Sequence, residues 1–329
     1  MGILTKGFYP RMRGGMEVKT LSPQKILLRV LVAVVVTAAV LLALAFVFKN
    51  SLLFFPTRGE MELSPERIGW KFESVFLDGL GGAKFNAWYL PQEDSGAKTV
   101  LLLHGNGGNL QEMIGRVISY HKMGLGVMAI DYNGFGLSEG SPSEEAMYQN
   151  AQASFAFLTE EKKIRPQDIV IHGFSIGGAA ASHLALQNKE FHNPLILDST
   201  FTRIQDAAAS RGGILKLVAP LLLGDAMDTR ARLAGLEPDI LIVFHSPEDE
   251  VVPFALGLAN YEAYQNGPKL MVTLKGEHMD YFLNQFAYEE VIFRNFGLKE
   301  SAGAGEGEEF FVEGVAEDNG EGAESGGEF

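Results

Sequence analysis

Residues 169–180 read IVIHGFSIGGAA. A run of apolar, partly β-branched residues stops at Gly173, Ser175 sits between Gly173 and Gly177, and small residues follow. The first half carries the composition of a buried strand and the second half that of a tightly packed helix. A serine hydroxyl is a poor nucleophile at neutral pH; it needs a base to take its proton and a position open to substrate. Gly-x-Ser-x-Gly at a strand-to-helix turn supplies the position, because the strained turn holds the side chain out at the carboxyl edge of a sheet and the glycines let neighbouring segments approach. The five-residue pattern alone is common. Its weight here comes from the strand run 168–173 before it and the helical IGGAAASHLALQN after it; the competing reading is a Gly-rich packing turn with an idle serine.

Outward from this turn, strand-like runs recur at 74–80, 84–90, 99–105, 126–132, 168–174, 194–200, 239–245 and 269–275. Several are continuously apolar, as expected of strands covered on both faces. From residue 99 onward, helix-length segments separate them, at 109–123, 143–162, 176–189, 254–265 and 281–295. The alternation predicts an α/β domain over 49–298, with a mostly parallel eight-stranded sheet and helices on both faces. The first two runs are joined only by DGLGGA and predict an antiparallel hairpin at one edge. Residues 199–238 hold no clear strand but an apolar stretch, GGILKLVAPLLLG at 212–224, read either as a small helical cap or as a helix packed on the sheet.

A serine nucleophile of this kind takes its partners in the chain order Ser, acid, His. After the strand run 239–245 comes HSPEDEVVP with Asp249, and after 269–275 comes GEHMD with His278. Both loops follow strands on the same side as the serine turn. His278 is the expected base and then acid, and Asp249 its orienting carboxylate. Glu248, Glu250 and Asp280 are neighbouring acids, and Asp198, at the end of LILDST, is the rival for the acid role. Two N–H groups are needed for the oxyanion. One is expected from Ile176, which follows the serine; the other is placed at Asn106 in the loop HGNGGN, 104–109, whose glycines allow unusual backbone angles. That loop lacks the lysine and the glycine spacing of a phosphate cradle. The reading calls for no cofactor and no metal.

The two ends of the chain differ from the domain. Residues 30–48, VLVAVVVTAAVLLALAFVF, are uncharged, and as a helix they rise about 28 Å, close to the thickness of a bilayer's hydrocarbon core. The preceding residues 1–29 carry six basic side chains against one acid, Glu17, so the expected arrangement is a single-pass anchor with a cytoplasmic N-terminus and the domain on the far side. A cleaved signal peptide is the rival, since Ala43-Leu44-Ala45 has the small-x-small form of a cleavage site. The tail, 299–329, is rich in glycine and acid and is expected to be disordered. Residues 301–329 carry nine of the acids behind a net charge of −14, a balance that makes nucleic acid an unsuitable partner. With no cysteine, disulfides, thiolate metal sites and a cysteine nucleophile are excluded.

Taken together, these motifs resemble the α/β-hydrolase family, in particular membrane-anchored small serine hydrolases with an H-G-N-x-G-N loop. The matching stretches are FFP at 54–56, HGNGGN at 104–109, DYNGFGLSEGSPSE at 131–144, the G-F-S-x-G-G turn, the loop ending Val252-Pro253, and the His278 loop. The resemblance covers about residues 50–298 and places nucleophile, acid and base on Ser175, Asp249 and His278. It implies hydrolysis of esters, thioesters or lipid acyl groups, with an aminopeptidase-like activity or a non-catalytic scaffold as alternatives. Three positions depart from the family pattern: His245-Ser246 where His-Gly is usual, Asn133 in place of arginine, and Glu277 in place of glycine before the histidine.

Overall fold

The computed structural model describes residues 22–59, 61–92, 94, 96–296 and 312–313. The chain divides after Val47 into two compact units.

The first unit contains helix α1, Pro23–Val47. Pro23 opens it at the position where a missing N–H costs nothing, and the Ser22 carbonyl accepts from Lys25 and Ile26. The helix begins earlier than the uncharged run and takes in Lys25 and Arg29. None of its side chains is buried by protein. Among the described residues it is the one helix long and apolar enough to cross a membrane, a test that a signal sequence also passes. Most of the basic flank, residues 1–21, lies outside the described residues.

In the second unit the strands are, in chain order, β1 Phe55–Pro56, β2 Glu73–Asp78, β3 Lys84–Leu90, β4 Thr99–Leu103, β5 Gly107–Gly108, β6 Gly126–Ile130, β7 Ile169–Phe174, β8 Leu195–Asp198, β9 Leu241–His245, β10 Lys269–Thr273 and β11 Val312–Glu313. The helices are α2 Lys49–Leu53, α3 Ile114–Lys122, α4 Glu144–Ala156, α5 Gly177–Gln187, α6 Ile204–Ser210, α7 Leu215–Leu223, α8 Thr229–Leu233, α9 Phe254–Ala263 and α10 Gln285–Phe296. The main sheet has the order β11-β10-β9-β8-β7-β4-β6-β3-β2. Strands β6 to β10 and β4 run parallel; β2 and β3 form the expected antiparallel edge hairpin, and β3 is antiparallel to β6.

The expected eight strands become nine. The addition comes from inside the tail, where Val312 and Glu313 pair antiparallel with Val272 and Met271. An open edge strand presents a row of free N–H and C=O groups, and a passing extended segment of any composition can pair with it. The remainder of the tail lies outside the described residues.

Strand side chains alternate between the two faces, which is why the central strands read as continuously apolar. In β4, Leu101 and Leu103 join one core with Met147, Ala151 and Phe155 of α4 and Leu184 of α5. Val100 and Leu102 join the other with Ile114 and Val117 of α3 and Ile292 of α10. Burying each such side chain stabilises the fold by about 1.5–3 kcal/mol, and Leu102→Ala would cost about 2–5 kcal/mol because a cavity remains. The parallel direction of β4, β7, β8, β9 and β10 brings the segments after Leu103, Phe174, Asp198, His245 and Thr273 out at one edge of the sheet, the place where open α/β sheets bind ligands.

Between β8 and β9, residues 199–238 form α6, α7 and α8 with no strand among the described residues. The apolar stretch does not fold its side chains inward. Of α7 only Ala219 is buried, while Leu217 and Leu221 are 69% and 73% exposed.

Candidate active site

Strand β7 ends at Phe174 and α5 begins at Gly177, so Ser175 and Ile176 make the whole turn. The turn is tight. Ser175 has φ +53°, in the left-handed region that a side chain normally avoids. A Cβ on Gly173 would lie 2.2 Å from the Gly177 carbonyl oxygen, and one on Gly177 would lie 2.2 Å from the Leu103 carbonyl oxygen. The turn is held from β8: the Ser175 N–H donates to the Asp198 carbonyl at 2.8 Å, and the Thr200 hydroxyl donates to the Ser175 carbonyl at 2.6 Å. Strain of this kind costs about 1–3 kcal/mol and survives only where such bonds over-determine it.

Two loops of the same edge come together beside this turn. His278 Nδ1 donates to Asp249 Oδ2 at 2.7 Å, and both residues are buried. The other Asp249 oxygen accepts the N–H groups of Val251 and Val252 at 2.9 and 2.7 Å. The carboxylate is therefore fixed by its own loop and aimed at one imidazole nitrogen. Such a bond sets the histidine's tautomer and leaves Nε2 as the nitrogen that can accept a proton. The Phe174 ring, adjoining the serine, lies 4.9 Å from the His278 ring. Among the described residues no hydrogen bond joins Ser175 to His278.

The third loop, 104–109, follows β4. Gly105 approaches the turn so closely that a Cβ there would sit 3.4 Å from the Ser175 Cβ and 3.1 Å from the Phe174 ring. Asn106 follows it, with its side-chain amide donating to the Leu53 carbonyl and its own carbonyl accepting from Phe55 at 3.3 Å. Ile176 is buried at the head of α5. The sequence-derived residues Ser175, Ile176, Asn106, Asp249 and His278 thus lie on the serine turn and three loops of one sheet edge.

A family model described as serine aminopeptidase, S33, matches residues 94–230. The Escherichia coli O157:H7 protein YfhR is 28% identical over 221 residues, 65% of this chain and 75% of that protein. The Arabidopsis thaliana α/β-hydrolase domain-containing protein WAV2 is 27% identical over 262 residues, covering 74% and 85% of the two chains. Among solved structures, the Pyrococcus furiosus esterase Pf2001 superposes with a TM-score of 0.58 at 17% identity, over 74% of this chain and 99% of that one. The chain has the α/β-hydrolase fold.

Asp198, the rival acid, has a different set of partners from Asp249. Arg116 grips its Oδ2 with Nε and Nη2 at 3.0 and 2.7 Å, Tyr288 donates to Oδ1 at 2.8 Å, and His172 Nε2 stands 3.4 Å away. Burial alone would raise its pKa, but the Arg116 charge and the His172 and Tyr288 contacts outweigh burial and hold the carboxyl well below its ordinary value. Burial also pushes His172 down, toward the neutral form. The acids beside Asp249 are spent on backbone instead: Glu250 accepts from the His278 N–H at 2.9 Å, Glu248 from Gly276 at 2.8 Å and Asp280 from Glu277 at 2.8 Å.

The departures from the family pattern have local explanations. The Ser246 hydroxyl donates to the Gly276 carbonyl at 2.6 Å and ties the Asp249 loop to the His278 loop. Asn133 is a buried neutral hub: its backbone N–H donates to Asn150 Oδ1, its side-chain Oδ1 accepts from Asn150 Nδ2, and its Nδ2 donates to the Glu139 and Ala83 carbonyls. Glu277 is exposed. Sequence reasoning missed Arg116, whose guanidinium stacks 4.5 Å from the Phe174 ring. The signal was one charged residue inside the apolar helical run MIGRVISY.

Proposed function

We propose that this hydrolase is a membrane-anchored serine hydrolase that cleaves carboxylic esters or thioesters through an acyl-enzyme on Ser175. The observation that carries the reading is the buried Asp249–His278 bond of 2.7 Å on loops adjoining a left-handed serine turn. The Ser175 oxygen attacks the substrate carbonyl while His278 Nε2 takes its proton, and Asp249 stabilises the imidazolium without being protonated. The N–H groups of Ile176 and Asn106 receive the negative charge that develops on the carbonyl oxygen. His278 then returns the proton to the departing alkoxide or thiolate, and water repeats the sequence to release the acid. A serine–histidine contact that is loose without substrate and tightens in the complex is normal for this chemistry.

Helix α1 supports the anchor, with residues 1–29 on the cytoplasmic side and the 49–298 domain across the membrane. The apolar stretch at 212–224, with Ile214, Leu217 and Leu221 exposed, supports an acyl substrate. The family model's description favours a second reading, cleavage of an aminoacyl amide. A fluorophosphonate probe and p-nitrophenyl esters test the assignment together. The wild type is labelled at Ser175, and Ser175→Ala removes labelling and roughly a million-fold of turnover. A Ser175→Ala variant within tenfold of wild type refutes the proposal. Faster cleavage of aminoacyl amides than of esters replaces it with the peptidase reading.

A further inference from the structure

The chain segment that follows α2 is stitched onto the loop that bears Asn106. The Leu53 carbonyl accepts the Asn106 side-chain amide, and the Phe55 N–H donates to the Asn106 carbonyl at 3.3 Å. Strand β1 pairs with β5 in parallel, Phe55 with Gly107 and Pro56 with Gly108. The Thr57 N–H donates to Gly108 at 2.8 Å, and the Thr57 carbonyl accepts the Gly136 N–H at 2.9 Å. Beyond it, Gly59 donates to Gly136 at 2.9 Å and Arg58 Nη2 to Gly140 at 2.9 Å. Phe54 is the buried pin of the segment: its ring stands edge-on 6.4 Å from Phe135, whose ring is 4.9 Å from His104 at the start of the same loop.

Apart from the strap, loop 104–109 is held at its two ends, where Tyr132 Oη donates to the His104 carbonyl at 3.1 Å and the Gln111 N–H donates to Asn109 Oδ1 at 3.1 Å. Its glycines, Gly105, Gly107 and Gly108, give it freedom to take many shapes, and Gly108 has φ +75°. An oxyanion donor works only if the protein holds it still, since reorganisation at the moment of reaction cancels the electrostatic gain. The inner end of the loop is fixed by the contact of Gly105 with the serine turn; the outer end is fixed by residues 53–57.

We infer that residues 53–57 act as a positioning strap that holds the Asn106 N–H in place for the oxyanion, through the Leu53–Asn106 and Phe55–Asn106 bonds and the Phe54 pin. The inference rests on the proposed acyl-enzyme chemistry and deepens it. The strap touches no reacting atom, so its loss weakens transition-state binding and leaves substrate binding alone. It also sits only a few residues beyond the end of α1 at Val47, so release of the domain by proteolysis preserves activity only when the cut falls ahead of Leu53.

The test uses the full chain in detergent or nanodiscs, with active sites counted by fluorophosphonate titration. Phe54→Ala is expected to lower kcat on a p-nitrophenyl ester by ten- to a hundredfold, the scale of a misplaced or lost donor, with KM within twofold. The affinity of a trifluoromethyl ketone, which mimics the tetrahedral adduct, falls by the same factor as kcat. Phe54→Leu restores kcat to within threefold. If Phe54→Ala does not fold, Asn106→Leu serves in its place, because it keeps the approximate size, the neutrality and the backbone N–H and removes the donor to Leu53. Cleavage at a site engineered between Val47 and Phe48 leaves kcat unchanged. A kcat per active site within twofold of wild type in the folded strap variant overturns the inference, as does a loss confined to KM or to thermal stability. Because Ser175→Ala is measured alongside, a dead Ser175→Ala with an unaffected strap variant refutes the strap alone, whereas an active Ser175→Ala refutes the chemistry beneath it.

Discussion

Two buried carboxylates stand at the ends of neighbouring strands of the same edge. Asp198 closes β8 and Asp249 lies four residues past the end of β9. From the sequence either qualifies as the partner of a catalytic histidine. Their surroundings separate them. Asp198 faces a guanidinium that cannot lose its proton, a tyrosine hydroxyl and a neutral histidine. Its charge is fully balanced, and it has no reason to respond to a change at the serine turn. Asp249 has two backbone N–H groups on one oxygen and, on the other, the His278 imidazole at 2.7 Å with the ring of His245, which burial keeps toward its neutral form, at 3.5 Å. Its negative charge is less than fully matched until His278 becomes a cation. The strand position brings a carboxylate to the edge; the charge of its partner decides whether it supports structure or waits for a proton transfer.

The sharpest way to break this comparison is to neutralise each acid in turn. Asp249→Asn is expected to cut kcat on p-nitrophenyl esters by about ten-thousand-fold, because the amide holds the imidazole in the wrong tautomer. Fluorophosphonate labelling slows in parallel while thermal unfolding moves little. A loss smaller than tenfold would hand the role back to another acid.

Asp198→Asn reverses the pattern. It leaves Arg116 buried without a counter-charge, and removing one member of a buried pair costs about 3–5 kcal/mol. For a domain of this size that lowers the unfolding temperature by about 10 °C, read by circular dichroism in detergent. Turnover per titrated active site should stay within about tenfold of wild type, since the Asp198 carbonyl that holds the Ser175 N–H is retained. An Asp198→Asn protein of native stability and no activity would exchange the two assignments.

The pH dependence of stability separates the pair again. The folded-state pKa of Asp198 lies below its unfolded value of 3.8, so its contribution is complete above about pH 4 and is lost as pH falls through the folded value. The gap in unfolding temperature between wild type and Asp198→Asn should therefore be flat from pH 7 to pH 5 and narrow below pH 4. A gap that widens as pH falls would mean that the carboxyl is protonated in the native state.

How much of this was legible in the sequence follows from the range of each interaction. The strand runs and the loops bearing Ser175, Asp249 and His278 could be located because their signals are local: apolar runs, glycines about a serine, an acid and a histidine just past strand ends. The Arg116–Asp198 pair joins residues 82 positions apart, and nothing near Arg116 names its partner. The same holds for the strap, where the Asn106 side-chain amide meets the Leu53 carbonyl across 53 positions, and a backbone carbonyl is a group that every residue possesses. The pairing of Val312–Glu313 with β10 depends on an open sheet edge, and neither the glycines nor the acids around it signal that pairing. The outward-facing leucines of α7 show the reverse case, an apolar run that composition alone would bury.

The smallest expected effect concerns a third carboxylate, Glu250. It is nearest of the spare acids to the base, its Oε2 accepting the His278 N–H at 2.9 Å, yet it is exposed. Proximity alone would rank it beside Asp249. The physical difference is solvent: water screens its charge, so its bond to an uncharged N–H contributes little beyond geometry, and exposed contacts of this kind are worth about 0–1 kcal/mol. Glu250→Gln keeps an oxygen that can accept the same N–H. Its kcat on p-nitrophenyl esters should therefore change by less than about fivefold, because an exposed charge is screened by water. A fall approaching that of Asp249→Asn would show that distance to His278, not burial and the imidazole nitrogen contacted, sets the role of an acid at this edge.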